Sequence, residues 1–285
     1  MEAKTSINAL IDDYRKSDRW AGLKPRTRAD YEKVMVYLVE KAGSKDVKRL
    51  TRQDIIAAQK ANSHRTRFAN YIPQMLTILC EHAIDLGWLK DNPAKGVRRL
   101  SVPKERQQEH VPWPDWAVER FRAEAEPLAK LIFEIGIGTV QRPGDWPGFE
   151  WGDYDGDNLR LRQNKMDVPL VLPCTRHLKS ALESAREAHG VVPIASRPIL
   201  TKRDGGKMSY HYMARVMRDE RERLEVTKFD LHALRYRGVM ELAWAGCTDD
   251  EIASYSGHTT IEMIKKYAGE ARQIMRARQA WEKRQ

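Results

Sequence analysis

Apolar residues in the first third of the chain recur at i, i+3, i+4 and i+7, the spacing that places them on one face of an amphipathic helix. The last of these segments ends at Gly87, which is followed by the turn-forming run DNPAKG. Pro73 lies inside that segment and is expected to kink or break it, because proline lacks the amide hydrogen that a helix interior needs. An all-helical N-terminal unit is therefore predicted. Its helices are expected at 7–14, 31–38, 51–61 and 66–86.

A change of pattern near residue 105 predicts a domain boundary. Residues 101–114 read SVPKERQQEHVPWP, with three prolines, many charges and no apolar period, which is typical of an exposed linker. A length of 285 residues also favours two domains over one, since domains cluster around ~100 to 150 residues.

Beyond the linker the pattern predicts helices and one strand pair. Residues 116–125 and 128–138 have helical periodicity, and helices resume at Arg176. The run LRLRQNKMDVPLVLP at 159–173 alternates and is rich in Val and Leu, so it predicts two short strands joined by a tight turn at 165–167. The T-x-x-E spacing of a capping box occurs at 248–251 and 259–262, which predicts two helix starts.

Basic residues are concentrated in the N-terminal third. The formal net charge is +10; residues 1–105 carry 21 Lys and Arg against 13 Asp and Glu, whereas the remainder carries 29 against 27. Such an excess is typical of a nucleic-acid-binding surface, although a solvated helical face has the same composition. The candidate DNA contacts lie between residues 41 and 67 and are Lys41, Lys45, Lys48, Arg49, Arg52, Arg65 and Arg67.

Several classes of protein and site are disfavoured. No run approaches the ~18 apolar residues of a membrane span, and the first twenty residues are too polar for a secretory signal, so a soluble cytoplasmic protein is predicted. The cysteines, Cys80, Cys174 and Cys247, form no C-x-x-C pair and are expected to be buried packing residues. No phosphate-binding glycine loop, H-E-x-x-H motif or carboxylate cluster occurs, so neither a metal nor another cofactor is expected.

Two motifs near the C-terminus combine groups suited to phosphate chemistry. His232 and Arg235 are three residues apart on a predicted helix and share one face, so together they are able to hold a small anion. The planar arginine fork matches phosphate oxygens. Gly257 and His258 stand at a helix entry, and Tyr267 follows nine residues after the histidine. A phosphate clamp and a potential tyrosine nucleophile thus lie in one segment.

The C-terminal part of the chain resembles the tyrosine recombinases, also called phage-type integrases. That family has an arginine after a glycine turn with an acid three residues later, a hairpin lysine, H-x-x-R, Gly-His and a tyrosine nine residues on. The run HAIDLGWLKDNPAKGV is also similar to the end of the family's core-binding domain, so the resemblance covers nearly the whole chain. The matching residues, in chain order, are Arg142, Asp145, Lys165, His232, Arg235, Gly257, His258 and Tyr267.

The resemblance implies a mainly α fold with a small β-sheet. Residues 1–100 would form an all-helical, SAM-like core-type DNA-binding domain, 101–114 a linker, and 115–285 an α+β catalytic domain that ends in a tail helix. The implied activity is site-specific DNA recombination through a 3′-phosphotyrosyl intermediate, as in integration or excision of a prophage or mobile element. No ATP or metal is implied, since the covalent link retains the bond energy.

The resemblance also implies roles for the matching side chains. Arg142 and Arg235, with His258 as a further donor, would stabilise the charge that builds on the phosphate in the transition state. A tyrosine hydroxyl with a pKa of ~10 needs a proton acceptor at neutral pH. By the resemblance, Tyr267 would be the nucleophile and His232 would accept its proton. Lys165 would donate a proton to the departing 5′ oxygen, and Asp145 would orient the arginines.

Each of these residues has an ordinary structural alternative when it is taken singly, and the ordered set is what favours catalysis. The lysine is the weakest assignment, because the hairpin reads Lys-Met-Asp where the family more usually has Lys-Thr-Gly. Nearby cations that compete with Lys165 are Arg160, Arg162 and Lys179, and the competing tyrosines are Tyr236 and Tyr255.

Two other functions remain as alternatives. The run TDDEIASYSGHTTIEMIKKY has Ala253 and Gly257 four residues apart, as in a helix-turn-helix transcriptional regulator without catalysis. That alternative leaves Arg142, Lys165 and the His232–Arg235 pair unexplained. A type IB topoisomerase-like monomeric enzyme would share the tyrosine chemistry without strand exchange.

The resemblance further implies partners. They are double-stranded DNA attachment sites and an accessory DNA-bending or directionality factor. Further copies of the chain are also implied, as a dimer on each site and as a tetrameric synapse. The tail EARQIMRARQAWEKRQ is predicted to be a helix that docks on a neighbouring copy through Ile274, Met275 and Trp281. Many phage integrases have a small N-terminal arm-binding domain, whereas this sequence begins directly in the core-binding helices.

Overall fold

A computed structural model describes residues 4–103, 105, 111–163, 169–190, 192–257 and 261–284. These residues are mostly helical and include one two-stranded sheet, so the predicted fold class is confirmed. The chain divides into two compact units, Met1–Gln108 and Glu109–Gln285. Among the described residues, no helix is both long enough and apolar enough to cross a membrane.

The N-terminal unit is a helical bundle around one apolar core. Ser6 caps its first helix through the amide of Ala9, and Thr51 and Asp54 form a reciprocal capping box at the start of another, so polar side chains fix where these helices begin. The helices are α1 (Ile7–Tyr14), α2 (Asp18–Ala21), α3 (Pro25–Ala42), α4 (Arg52–Ala61) and α5 (Thr66–Asp85).

Of the kink or break expected at Pro73, the break is wrong, because α5 runs through this residue as one helix. Proline removes one hydrogen bond, but the same stretch buries Ile72, Met75 and Leu79 completely in the core. Burial of three such side chains contributes several kcal/mol, at ~1.5–3 kcal/mol each, which offsets the lost bond. Packing therefore decides the conformation here.

The C-terminal unit contains the remaining helices and the sheet. The strands β1 (Asn158–Arg162) and β2 (Pro169–Pro173) are antiparallel and pair Leu159 with Leu172, as the alternating pattern predicted. The turn predicted at 165–167 lies outside the described residues. The helices are α6 (Asp115–Glu124), α7 (Pro127–Thr139), α8 (Arg176–Glu187), α9 (Tyr210–Arg223), α10 (Leu231–Trp244), α11 (Asp249–Ser256) and α12 (Ile261–Glu282).

Helix α7 forms the centre of this unit. Its residues from Leu131 to Thr139 are all buried, which is the pattern of a helix enclosed on every side. Phe121, Phe133 and Trp113 stack and cross in one aromatic cluster beside it. A second, smaller core lies between α10, α11 and α12 and includes Val140 and Ile264.

The two helix starts predicted from T-x-x-E spacing have different outcomes. Thr248 and Glu251 form the predicted capping box at the start of α11. Thr259 lies outside the described residues, and α12 is described from Ile261. Beyond Ala271, every described residue of α12 is half-buried or exposed, so the end of this helix projects from the small core.

The prediction that the three cysteines are buried is confirmed for one of them and wrong for the other two. All three are free thiols, but Cys80 is buried whereas Cys174 and Cys247 are half-buried. Burial raises the pKa of the Cys80 thiol to about 12, so it stays protonated at neutral pH.

Ion pairs in which one side chain is buried and the other is more exposed connect the helices of this unit. Arg122 on α6 makes two hydrogen bonds to Glu134 on α7, at 2.7 and 3.2 Å. Arg237 on α10 donates to Asp115 at 2.6 Å, to Glu241 at 2.8 Å and to the carbonyl oxygen of Trp113 at 3.1 Å. Such pairs fix the helix positions, because removal of one partner leaves a buried charge.

A glycine at the crossing of α7 and α10 provides a test of this packing. A Cβ added to Gly238 would lie 2.5 Å from the carbonyl oxygen of Ile137, so Gly238→Ala must displace backbone. We expect a loss of about 1–3 kcal/mol in the free energy of unfolding, measured by urea denaturation. The matched control is Gly269→Ala in α12, where nothing lies within 4 Å. This change should stabilise the protein by about 0.5–1 kcal/mol through helix propensity. Equal effects at both positions would contradict the close approach of α7 and α10.

Candidate active site

A strained turn at the end of α7 places the first arginine. Val140 has φ 55° and ψ 24°, a left-handed conformation that is rare for a β-branched residue. Its side chain is 2% exposed in the small core of α10, α11 and α12, and this burial holds the strained backbone. The chain therefore turns sharply and continues directly into Gln141 and Arg142.

Arg142 and Arg235 are close enough to affect each other electrostatically. Arg235 lies on α10, is 1% exposed and donates through Nη2 to the carbonyl oxygen of Ser256 at 3.3 Å. Burial, and to a smaller extent the nearby charge of Arg142, lower the pKa of Arg235 to about 10, whereas Asp145 acts in the opposite direction. The Arg235 guanidinium is therefore still protonated near neutral pH.

The charges of the cluster formed by Arg142, Arg235 and Asp145 do not balance. Two guanidinium groups and the single carboxylate of Asp145 leave an excess of positive charge in a buried place. Arg142 Nη1 is itself buried and has no hydrogen-bond partner among the described residues. A buried donor without a partner is costly, and an anion with several oxygens would satisfy it. The sequence prediction that these two arginines act together is consistent with this geometry.

The predicted nucleophile is packed against the helix that carries Arg235. The rings of Tyr267 on α12 and Tyr236 on α10 are stacked, with centroids 3.6 Å apart and an angle of 16° between their planes. Tyr267 is 7% exposed, and burial raises its pKa, while a hydrogen bond from Tyr236 lowers it. The phenol is therefore protonated at neutral pH.

His232 approaches the same aromatic pair from one turn earlier on α10. Its ring meets the ring of Tyr236 edge to face, with centroids 5.0 Å apart. His232 is half-buried and lines a surface recess together with Tyr210, Arg221 and Asp230. His232 thus contacts Tyr236, which in turn contacts Tyr267.

Two predicted site residues, Lys165 and His258, lie outside the described residues. The segments that lead to them are described. Arg162 ends β1 three residues before the lysine, and Gly257 ends α11 in a left-handed conformation with φ 65° immediately before the histidine. A left-handed glycine is the usual end of a helix.

The residues that compete with these predictions have structural partners. Arg160 forms an ion pair with Asp155 at 2.9 Å, and Lys179 forms one with Asp157 at 2.5 Å. The hydroxyl of Tyr255 lies 2.9 Å from the carbonyl oxygen of Gly138 and 2.7 Å from that of Pro173, and burial raises its pKa. This tyrosine therefore connects the end of α7 to the end of β2.

The seven basic residues predicted to contact DNA are all exposed, but they lie in different places of the N-terminal unit. Lys45 and Arg49 line one recess. Arg65 and Arg67 line another, together with Arg26. Arg52 donates to the carbonyl oxygens of Lys95 and Gly96, at 2.7 Å each, so it also holds the segment after α5.

Sequence reasoning missed several residues that the structure places at these surfaces. The recess with Arg65 and Arg67 also includes Lys33, Phe68 and Tyr71, and the Arg65 guanidinium lies 4.5 Å from the Phe68 ring centroid. In the C-terminal unit, Gln141 and Gln163 are completely buried beside the residues named above. In the sequence, the two glutamines show only as a polar residue immediately before Arg142 and a polar residue at the end of an alternating strand.

A metal is not indicated by the donor groups. Among the residues that the structure describes, no group of three or more His, Cys, Asp or Glu side chains is arranged to hold an ion. The site is instead built from cationic and phenolic groups.

The excess positive charge predicts that the free protein binds small oxyanions. We expect sodium sulfate to raise the melting temperature more than sodium chloride of equal ionic strength. At a concentration a hundred times the Kd, sulfate should add about 2.7 kcal/mol of stability. Sulfate also stabilises proteins by exclusion from their surface, so Arg142→Gln serves as the control. The variant should lose the specific part of the increase. An equal response of both proteins would refute an anion site at this arginine.

Comparisons with known proteins identify the family of the chain. Residues 117–273, more than half of the chain, match the sequence model of the phage integrase family. The integrase of Escherichia phage HK022 is 23% identical over 193 residues, which cover 64% of this chain and 54% of that protein. The chain spans about half the length of the curated relatives it matches.

Solved structures show the same fold. A lambda integrase (75–356) dimer bound to a COC′ core site has 19% identity and a TM-score of 0.77, with 92% of this chain and 95% of that chain covered. A lambda integrase tetramer bound to a Holliday junction has 18% identity and a TM-score of 0.73, with 90% and 78% covered. From the matched domain and this fold, the chain belongs to the phage integrase family of tyrosine recombinases.

Proposed function

We propose that this chain is a site-specific DNA recombinase that cuts and rejoins duplex DNA through a 3′-phosphotyrosyl intermediate. Integration or excision of a prophage or mobile element is the proposed setting. The observation that carries the proposal is the close pair of the half-buried Arg142 and the buried Arg235, with Tyr267 packed against the helix that holds Arg235. Family membership and the charge of the pair both support a phosphodiester as the substrate.

The first step is attack by the phenol. Tyr267 Oη bonds to phosphorus, the bond from phosphorus to the 5′ oxygen breaks, and negative charge builds on the non-bridging oxygens. Arg142 and Arg235 stabilise that charge, and a fixed pair of guanidinium groups needs little rearrangement to do so. His258 is proposed as a further donor, and Asp145 orients the arginines.

Two protons move in this step. Tyr267 loses its proton, for which His232 is the proposed acceptor, because burial keeps the phenol protonated until it reacts. The departing 5′ oxygen gains a proton, for which Lys165 is the proposed donor. In the reverse direction, the 5′ hydroxyl of another strand attacks the phosphotyrosine and frees the phenol. No net hydrolysis occurs, and no cofactor takes part in the proposed sequence.

The buried state of Tyr267 implies a change when DNA binds. A ring that is 7% exposed and stacked on Tyr236 is not open to a phosphodiester. We propose that the stack opens, or α12 shifts, when the site is occupied. Arg272 holds α12 in the described position through Asp249, at 2.5 Å, and the carbonyl oxygen of Cys247, at 2.7 Å. These contacts would limit the movement to the stretch of α12 before Arg272.

The proposed DNA-binding surface includes the N-terminal unit. Its recess of Arg26, Lys33, Arg65 and Arg67 combines cations with the aromatic rings of Phe68 and Tyr71. The exposed Lys41, Lys45, Lys48, Arg49 and Arg52 extend the basic surface of the same unit. Such contacts position a protein on DNA but carry no sequence information by themselves.

Assembly on DNA is proposed as a dimer on each site and a tetramer when two sites pair. Solved integrases of this fold include a dimer and a tetramer bound to DNA. In this chain, Ile274 is 39% exposed and Trp281 is 62% exposed on the projecting end of α12. Apolar groups on an exposed helix favour burial against a neighbouring copy. An accessory DNA-bending or directionality factor belongs to the same proposal.

Neither a helix-turn-helix regulator without catalysis nor a monomeric topoisomerase is favoured by the family match.

A nicked suicide substrate tests the covalent step. We expect the protein to form a denaturation-resistant adduct with DNA that carries its attachment site, because loss of a short fragment prevents religation. Tyr267→Phe should abolish the adduct, while Tyr31→Phe, a change at a half-buried tyrosine of the N-terminal unit, should leave it intact. Mass spectrometry of the trapped peptide identifies the linked residue. An adduct at another tyrosine, or a Tyr267→Phe variant that still forms one, would exclude the proposed nucleophile.

The salt dependence of DNA binding tests the basic recess. We expect log K to fall linearly with log salt concentration in fluorescence anisotropy, because bound cations release counterions from DNA. Arg26→Gln, Arg65→Gln and Arg67→Gln should each reduce the slope by about 1. Arg120→Gln removes the same charge from a residue of the C-terminal unit outside this recess, and should leave the slope unchanged. Equal slopes for all four variants would place the DNA contacts elsewhere.

A further inference from the structure

A second tyrosine, which has no part in the proposed reaction, packs on the proposed nucleophile. Tyr236 lies on α10 directly after Arg235, and its side chain is 4% exposed. Its ring is stacked on the ring of Tyr267, with centroids 3.6 Å apart and an angle of 16° between the planes. Each ring therefore covers one face of the other. Tyr236 is a buried, titratable side chain for which the proposed chemistry supplies no role.

A hydrogen bond between the two hydroxyl groups adds to the stack. Burial raises the pKa of Tyr267, and a hydrogen bond from Tyr236 acts in the opposite direction. A hydrogen bond that lowers the pKa of a phenol favours its charged form, so Tyr236 is the donor and Tyr267 the acceptor. Aromatic pairs are more stable when offset than when superposed, and rings this close are nearly superposed. The hydroxyl bond therefore contributes to keeping the two rings together.

Tyr236 also contacts the histidine that is the proposed proton acceptor. His232 and Tyr236 are one turn apart on α10, so their side chains share one face of the helix. The two rings meet edge to face with centroids 5.0 Å apart. One tyrosine thus contacts both the proposed nucleophile and its proposed acceptor.

Helix α10 is a fixed support for Tyr236. A Cβ added to Gly238 would lie 2.5 Å from the carbonyl oxygen of Ile137, so α10 packs directly on the backbone of α7. The movement proposed on DNA binding is in the stretch of α12 before Arg272, which carries Tyr267. Tyr236 is therefore the fixed member of the pair, and Tyr267 is the member that leaves.

We infer that Tyr236 is a positioning residue that holds Tyr267 in its covered position until DNA is bound. The inference rests on the proposed function, because the cover matters only if Tyr267 attacks the phosphate. Both the stack and the hydroxyl bond have to be broken before Tyr267 Oη reaches phosphorus. A weakened contact should therefore make the reaction faster, whereas loss of a residue that only supports the fold makes a reaction slower.

Chemical modification of the free protein tests the cover. Tyr236→Phe removes the hydroxyl and keeps the ring. We expect N-acetylimidazole to acetylate Tyr267 about fivefold faster than in the wild type, because one hydrogen bond shifts an opening equilibrium by about that factor and modification follows the open population. Mass spectrometry locates the acetyl group, and Tyr31, a half-buried tyrosine of the N-terminal unit, is the internal standard.

The covalent reaction should show the same factor. With the nicked suicide substrate below saturation, the rate of adduct formation divided by DNA concentration measures the barrier from the free, covered protein. We expect about a fivefold increase for Tyr236→Phe, because the free protein no longer has to break the hydroxyl bond. Tyr236→Leu removes the stack as well and should increase both rates further. Melting temperature and DNA affinity are measured for each variant, and Tyr236→Phe carries the test if the leucine variant does not fold.

Tyr154→Phe is the matched control. Tyr154 is a buried tyrosine of the same unit whose hydroxyl donates to the carbonyl oxygen of Gly156 at 2.9 Å and to Oε1 of Glu183 at 2.7 Å. This variant loses a hydroxyl of the same kind, but one that is bonded to groups other than Tyr267. We expect it to acetylate Tyr267 and to form the adduct at the wild-type rates.

The outcomes separate the inference from the proposed function. If the wild-type protein forms no adduct, the proposed function fails. If the wild type forms the adduct but Tyr236→Phe fails to increase the acetylation of Tyr267, or increases it without speeding adduct formation, the positioning role is overturned. Parallel increases in both rates that are absent from Tyr154→Phe support it, and equal increases in Tyr154→Phe overturn it.

Discussion

Two like charges at close range, one buried and one half-buried, are the constraint on which the C-terminal unit depends. Arg235 is buried and lies close enough to Arg142 for the second charge to lower its pKa, and Asp145 compensates only part of the excess. Burial of charge costs several kcal/mol for each ion, so this arrangement persists only because the surrounding structure holds it. Two features do so: the strained turn at Val140 and the carbonyl oxygen of Ser256.

The helices around this cluster are arranged to make it rigid. Helix α7 is enclosed by apolar contacts up to the residue before the turn, and the small core beyond it buries Val140. The arginine that follows is therefore positioned by packing on both sides of a short segment. A preorganised cation pair is a better transition-state stabiliser than a mobile one, because it does not have to rearrange as charge develops. Tyr267, the proposed nucleophile, is by contrast covered by Tyr236 in the described state, so the proposed phosphate site is formed while this tyrosine is still covered.

Much of this could be predicted from the sequence, and the failures have physical reasons. Helix positions followed from apolar periodicity, and the capping box at Thr248 from its T-x-x-E spacing. The break expected at Pro73 did not occur, because burial of the neighbouring side chains outweighs one missing hydrogen bond. Arg142, Arg235 and Tyr267 were found through order and spacing. Gln141 and Gln163 were not, since an uncharged polar residue gives no sign in sequence that it is buried, and its partners are mostly backbone carbonyls far along the chain.

The most direct measurement of the central claim is a structure of the protein bound to cleaved DNA with vanadate at the reacting phosphate. We expect vanadium to be bonded to Tyr267 Oη, with the guanidinium groups of Arg142 and Arg235 within about 3 Å of its equatorial oxygens. A structure in which another residue is bonded to vanadium, or in which either arginine remains out of hydrogen-bonding range, would contradict the assignment of the clamp and the nucleophile.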